Sequence, residues 1–212
     1  QRGQHRRMED ASSVALGWLA AARTEPLCLL ADGRGLAGLQ LDGLVREVWP
    51  GVFRAADLAA GAAERMDAVA RLLPQSAVLA RRSAVWVLTG RLRPERLDVV
   101  LTGPRRRSSA DLDVHSELLA LEDVVELGPG QCTSPARTVV DIARCLDEDE
   151  ARAFLAAIDG LGVPRPEIHA ALRRASGTQG VVRARKRLAG YGTDARWGDV
   201  SVHAMVRSQP VD

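Results

Sequence analysis

Arginine is the residue of this chain best placed to do chemistry. Lysine and arginine together number 29, and Lys186 is the only lysine. A guanidinium stays charged and offers a planar fork of donors that matches paired phosphate oxygens, so arginine clusters point first to phosphate contact. Arg105-Arg106-Arg107, between Pro104 and Ser108-Ser109, reads as a flexible basic loop suited to a phosphodiester backbone. Arg46 and Arg54 flank a Pro50-Gly51 turn, and Arg81 and Arg82 open a helical stretch. The run Arg183-Ala184-Arg185-Lys186-Arg187 reads instead as a solvated helix face.

Other chemistries find no constellation. His5, His115, His169 and His203 have no ligand spacing, so neither metal nor cofactor is expected. Walker, G-x-S-x-G and H-E-x-x-H patterns are missing, and the single lysine is preceded by Ala184 and Arg185 rather than by the acid that an acidic-x-Lys nuclease needs. The expectation is a protein that is not an enzyme. Cys28, Cys132 and Cys145 are odd in number and far apart, which fits a reduced, cytoplasmic protein. No apolar run approaches the roughly 20 residues that cross a bilayer, and no signal peptide is recognisable.

Net charge is only +2, but its distribution is uneven. Residues 81–107 carry a balance of +6, residues 111–126 hold six acids and no lysine or arginine, and residues 173–187 return to +6. Such blocks predict a polarised surface that steers a polyanion or meets an oppositely charged partner.

The elements that must position these side chains follow from local pattern. Met8–Arg23 reads as a helix, and the glycines from Gly33 to Gly43 leave short helical turns around Leu36–Leu41. Leu44–Trp49 and Val52–Arg54 read as a hairpin about Pro50-Gly51. Helix, short helices and a two-stranded hairpin is the order of a winged helix-turn-helix. A boundary is expected near Asp57–Ala62. Beyond it come helices over 63–73 and 81–88, a short apolar stretch at 77–80, and strands at 97–102 and 112–115 joined by the arginine loop. Val124–Leu127 and Gln131–Cys132 flank a Gly128-Pro129-Gly130 turn. Helices over 135–146, 148–159, 166–175 and 179–188 close the pattern. Ser134 is the expected N-cap of the first of these, with Pro135 at its first position and Arg137 and Asp141 one turn apart as a structural pair. Trp18, Trp49 and Trp86 fall in apolar-periodic segments and are expected in the core. The fold class is α+β: a winged helix-turn-helix-like domain at 1–57, a mixed α/β domain with a helical C-terminal part at 58–190, and a poorly patterned tail at 191–212.

Four stretches, in order, resemble AbiEi-type antitoxins, the DNA-binding halves of type IV toxin–antitoxin systems. Arg46–Arg54 is similar to that family's wing, and Arg81–Gly90 to its H-x-S-A-A-x-L-x-G helix, with Arg81 in the histidine's place. Leu97–Thr102 with the following arginines matches a strand and basic loop, and Cys132–Ala143 matches the T-S-P-A-R-T signature that contains Ser134, Pro135, Arg137 and Asp141. The resemblance spans about Leu44–Leu188. It implies a transcriptional regulator that binds promoter DNA, autoregulates a toxin–antitoxin-like operon, and has a nucleotidyltransferase-like toxin as partner. The family's recognition helix would fall within Pro26–Gly43, where Arg34 and Gln40 are the side chains able to read base edges. The expected DNA contacts are therefore Arg34, Gln40, Arg46, Arg54, Arg81, Arg82, Arg105, Arg106 and Arg107. The alternative is a protein–protein interaction module that uses the acidic 111–126 and basic 81–107 faces and binds little specific DNA.

Overall fold

The computed structural model describes residues 29–30, 34–57, 61–101 and 108–191. The expected helix over 8–23, with Trp18, and the 191–212 tail beyond Tyr191 lie outside the described residues. The chain is mixed α and β. A three-stranded antiparallel sheet forms from β1 (Leu29–Leu30), β2 (Val45–Trp49) and β3 (Val52–Ala55) in the order β1-β3-β2, with helix α1 (Arg34–Leu41) between β1 and β2. The β2–β3 turn forms as the sequence predicts. Gly51 has φ +74°, where a Cβ is strained, and its N–H bonds the Glu47 carboxylate at 2.9 Å.

Helix α2 (Ala62–Ala70) stops three residues short of its expected end, because Pro74 disfavours helical geometry in the residue before it. Strand β4 (Ala77–Leu79) then becomes the middle strand of a second sheet, although three apolar residues alone did not declare it a strand. Helix α3 (Arg81–Thr89) is followed by β5 (Leu97–Leu101), β6 (Leu112–His115), β7 (Val124–Leu127) and β8 (Gly130–Thr133), in the order β6-β5-β4-β8-β7. β5 and β6 are parallel neighbours, so their connection must carry the chain back along the sheet rather than turn it as a hairpin would. Both β5 ends of the core alternation are visible: Leu97, Val99 and Leu101 join the apolar cluster, while Asp98 belongs to the opposite face.

Four more helices follow among the described residues: α4 (Pro135–Cys145), α5 (Glu148–Asp159), α6 (Arg165–Arg174) and α7 (Val181–Leu188). The start of α4 is as expected, with the Arg137 N–H donating to Ser134 Oγ at 3.3 Å and Pro135 in the first turn. Asp147 caps α5 by accepting the Glu150 N–H at 2.8 Å. One apolar cluster unites α4, α5, α6 and α7 with Val85 of α3; the other unites α2, the five-stranded sheet and the opposite side of α3. Helix α3 is thus buried between the two, which explains why Ser-Ala-Val-Trp-Val has no polar face. Trp49 and Val52 of the hairpin belong to the second cluster, with Trp49 and Trp86 5.3 Å apart between ring centres. The hairpin and the α/β body therefore share a core across the expected boundary. No described helix is long and apolar enough to cross a membrane.

Candidate nucleic-acid interface and its charged support

The expected phosphate contacts divide sharply once each is placed. Gln40 is exposed on α1, Arg34 opens that helix, and Arg46 is exposed on β2. Arg105, Arg106 and Arg107 lie outside the described residues. Arg54 faces Arg46 across the β2–β3 ladder, yet it is only 6% exposed, and its Nε and Nη1 are buried without a hydrogen-bond partner. β3 is the central strand of its sheet, and Val52, Phe53 and Arg54 are all buried. Arg54 therefore does not lie along an outer face as expected, and Arg46 is the arginine that this hairpin presents.

Arg81 and Arg82 are likewise corrected: both are half-buried and paired with carboxylates rather than free surface cations. Arg81 Nη2 donates to Glu117 Oε1 at 2.8 Å, and Nη1 lies 3.0 Å from His115 Nδ1. It adopts φ +50°, an unfavourable angle for a residue with a Cβ, at the start of α3. Arg82 bonds Glu150 on α5 and lies 3.2 Å from Asp98 Oδ2. The Glu150 hydrogen bond outweighs the opposing effect of burial and, with Asp98, holds that guanidinium well above its usual range.

These two arginines are the outer end of a larger network centred on the signature helix. Arg137, 2% exposed, places Nε 2.9 Å from Asp141, Nη1 2.9 Å from Asp123 and Nη2 2.9 Å from Glu117. Arg144 donates to Asp141 at 2.8 Å and also to Glu117. Arg174 on α6 closes on Asp123 at 2.8 Å, and His115 Nε2 on Asp98 at 2.8 Å. Five arginines (81, 82, 137, 144, 174) thus meet five carboxylates (98, 117, 123, 141, 150), so the interior charge balances. Burial opposes the charge on Arg137, but Asp141 beside it, joined by Asp123, holds the guanidinium above its ordinary range.

The expected Arg137–Asp141 pair is therefore present, but as the centre of a cluster. It ties Ser116–Asp123, the link between β6 and β7, to α3, α4 and α6. The blocks that looked like opposed surfaces partly neutralise each other: Glu117 and Asp123 of the acidic stretch turn to arginines in the network, and Asp113 pairs with Arg96 at 2.9 Å nearer the surface. Sequence reasoning missed Asp98, Glu117, Asp123, Arg144 and Arg174 because their partners lie mostly far along the chain. The one local signal was an acidic segment set among apolar residues.

Glu117 makes this network sensitive to acid. Burial pushes its carboxyl up, but Arg144, Arg81 and Arg137 together hold it below the usual 4.5. The unfolded chain takes up that proton first, so the stabilisation is complete above about pH 4.5 and is lost as pH falls through the lower folded value. Glu117→Gln should be less stable than the parent at pH 7 and lose less between pH 5 and pH 3 in urea titrations. Parallel curves for the two proteins would contradict the assignment.

Cys132 is fully buried, and burial pushes its thiol up to about 12, which keeps it protonated and inert. No group of His, Cys, Asp and Glu among the described residues is arranged to hold a metal ion. No protein-family model matches the chain, and no curated protein matches it in sequence.

Proposed function

We propose that this protein is a non-enzymatic, DNA-binding regulator of the AbiEi antitoxin kind, acting through its N-terminal helix and hairpin on promoter DNA. The observation that supports the reading is the arrangement β1-α1-β2-β3 with β3 paired between β1 and β2, a strand order that winged helices share. In such a unit the helix before the hairpin enters the major groove and the hairpin follows the backbone. Gln40 would then face base edges and Arg46 a phosphate, while Trp49, anchored against Trp86, fixes the hairpin to the body. The Arg105–Arg107 loop would add phosphate contacts. A nucleotidyltransferase-like toxin is the protein partner that the resemblance implies, and autoregulation of a shared operon is the corresponding role.

A protein–protein module built on opposed acidic and basic faces has less support, because Arg81, Arg82 and Arg96 are spent on internal and local carboxylates. Fluorescence anisotropy with the duplex upstream of the protein's own gene tests the DNA reading. Affinity should fall steeply as salt rises, and Arg46→Ala should reduce the slope of log K against log salt by about 1. Folded protein that fails to bind this duplex at low salt would overturn the proposal.

A further inference from the structure

Helices α6 and α7 carry seven basic side chains and one acid, Glu167. The structure sorts the seven into two sets. Arg174 pairs with Asp123, and Arg187 reaches Glu148 at 2.8 Å together with the carbonyls of Ala143 and Leu146. Arg183 donates to the Arg144 carbonyl and Arg165 to that of Ala189. These four hold α6 and α7 in place, and two of them close the C-terminal end of α4, where unpaired carbonyls attract cations.

Arg173, Arg185 and Lys186 form the other set. All three are exposed, and none has a carboxylate partner among the described residues; Arg185 touches only the Ser176 hydroxyl, at 3.3 Å. Arg173 and Arg185 come from different helices yet line one open groove of about 300 Å³, together with His169, Leu172, Leu188 and Ala189. Two of the three cations without a carboxylate partner thus line one groove.

We propose that this groove binds the phosphodiester backbone of a nucleic acid, as a second contact separate from the hairpin. Charge complementarity selects the occupant. Two guanidinium forks lining an open groove suit phosphate oxygens, and the apolar lining of Leu172, Leu188 and Ala189 accommodates the sugar edges between successive phosphates. An open groove of this kind meets the backbone rather than base edges within a duplex groove, so its contribution is independent of sequence.

The test uses the full chain and a duplex of scrambled sequence, with binding followed by anisotropy between 50 and 300 mM salt. Arg173→Ala/Arg185→Ala should weaken binding to every sequence alike and make the log K against log salt slope shallower by about 2, at roughly 0.9 per phosphate. Arg91→Ala, which removes an exposed arginine just after α3, should leave the slope where it was, and matching melting curves should show that all variants are folded. The hairpin reading is probed separately by Arg46→Ala, so either contact can fail alone. An unchanged slope in the double variant overturns the groove proposal. So does a double variant that keeps its DNA affinity but loses retention of polyglutamate, because the occupant would then be an acidic polypeptide.

Discussion

Arg137→Ala should destabilise the protein by about 3–5 kcal/mol, the cost of removing one partner from a buried ionic cluster. Its guanidinium serves three carboxylates at 2.9 Å each, and the substitution leaves the network with four arginines against five carboxylates. Arg144 and Arg174 still face those groups but were already bonded to them, so they cannot supply the missing donors. In thermal melts the loss corresponds to roughly 6–20 °C, at about 2–4 °C per kcal/mol for a chain of this size. Arg137→Lys should recover only part of it, because a compact ammonium does not present the fork that spans three acceptors. Arg137→Met combined with Asp123→Asn removes one charge of each sign and should be less damaging than Arg137→Met alone. A loss under about 1 kcal/mol for Arg137→Ala would show that the site behaves as an exposed ion pair.

Gly180→Ala should be the second most damaging single substitution, for a reason unrelated to charge. Gly180 sits at φ +81° immediately before α7, and a Cβ there would lie 2.3 Å from the Arg144 carbonyl oxygen. That oxygen cannot swing aside: it belongs to the last turn of α4 and accepts from Arg183. Left-handed backbone costs an alanine about 1–2 kcal/mol, and overpacking about 1–3 kcal/mol more, so a total near 2–5 kcal/mol is expected. Two other glycines separate the contributions. Gly162 has φ +62° with open space around it, so Gly162→Ala isolates the backbone cost. Gly160 has φ −60° and equally open space, so Gly160→Ala should be neutral or slightly stabilising. Equal losses for Gly180→Ala and Gly162→Ala in urea titrations would remove the steric argument.

Both predictions concern the support of the candidate interface. Loss of Arg137 loosens the link that holds β6 and β7 to the helices. An alanine at 180 pushes α7 away from α4, and with it one wall of the groove that contains Arg173 and Arg185. Neither change touches the β2–β3 hairpin, whose position rests on Trp49 against Trp86.

What could be read along the chain was whatever depends on near neighbours. Ser134 and Pro135 start α4, Asp147 starts α5, Pro50-Gly51 turns the hairpin, and Arg137 reaches Asp141 across one helical turn; each involves atoms within about four residues. Strand β4 was harder, since Ala77-Val78-Leu79 becomes a strand only by pairing with β5 and β8. The arginines were misjudged for a related reason. Composition shows that a guanidinium is charged, but whether it faces water or a carboxylate depends on partners such as Glu117, 36 residues from Arg81, or Asp123, 51 residues from Arg174.

The sequence by itself thus determined the α+β class, the helix starts, the hairpin and the stock of cations from which any phosphate contact must be drawn. Only the tertiary structure decided which of those cations are available. Burying a charge is costly without a partner, so folding drew Arg81, Arg82, Arg137, Arg144 and Arg174 to carboxylates; it buried Arg54 in the central strand of the first sheet, and left Arg46, Arg173, Arg185 and Lys186 at the surface.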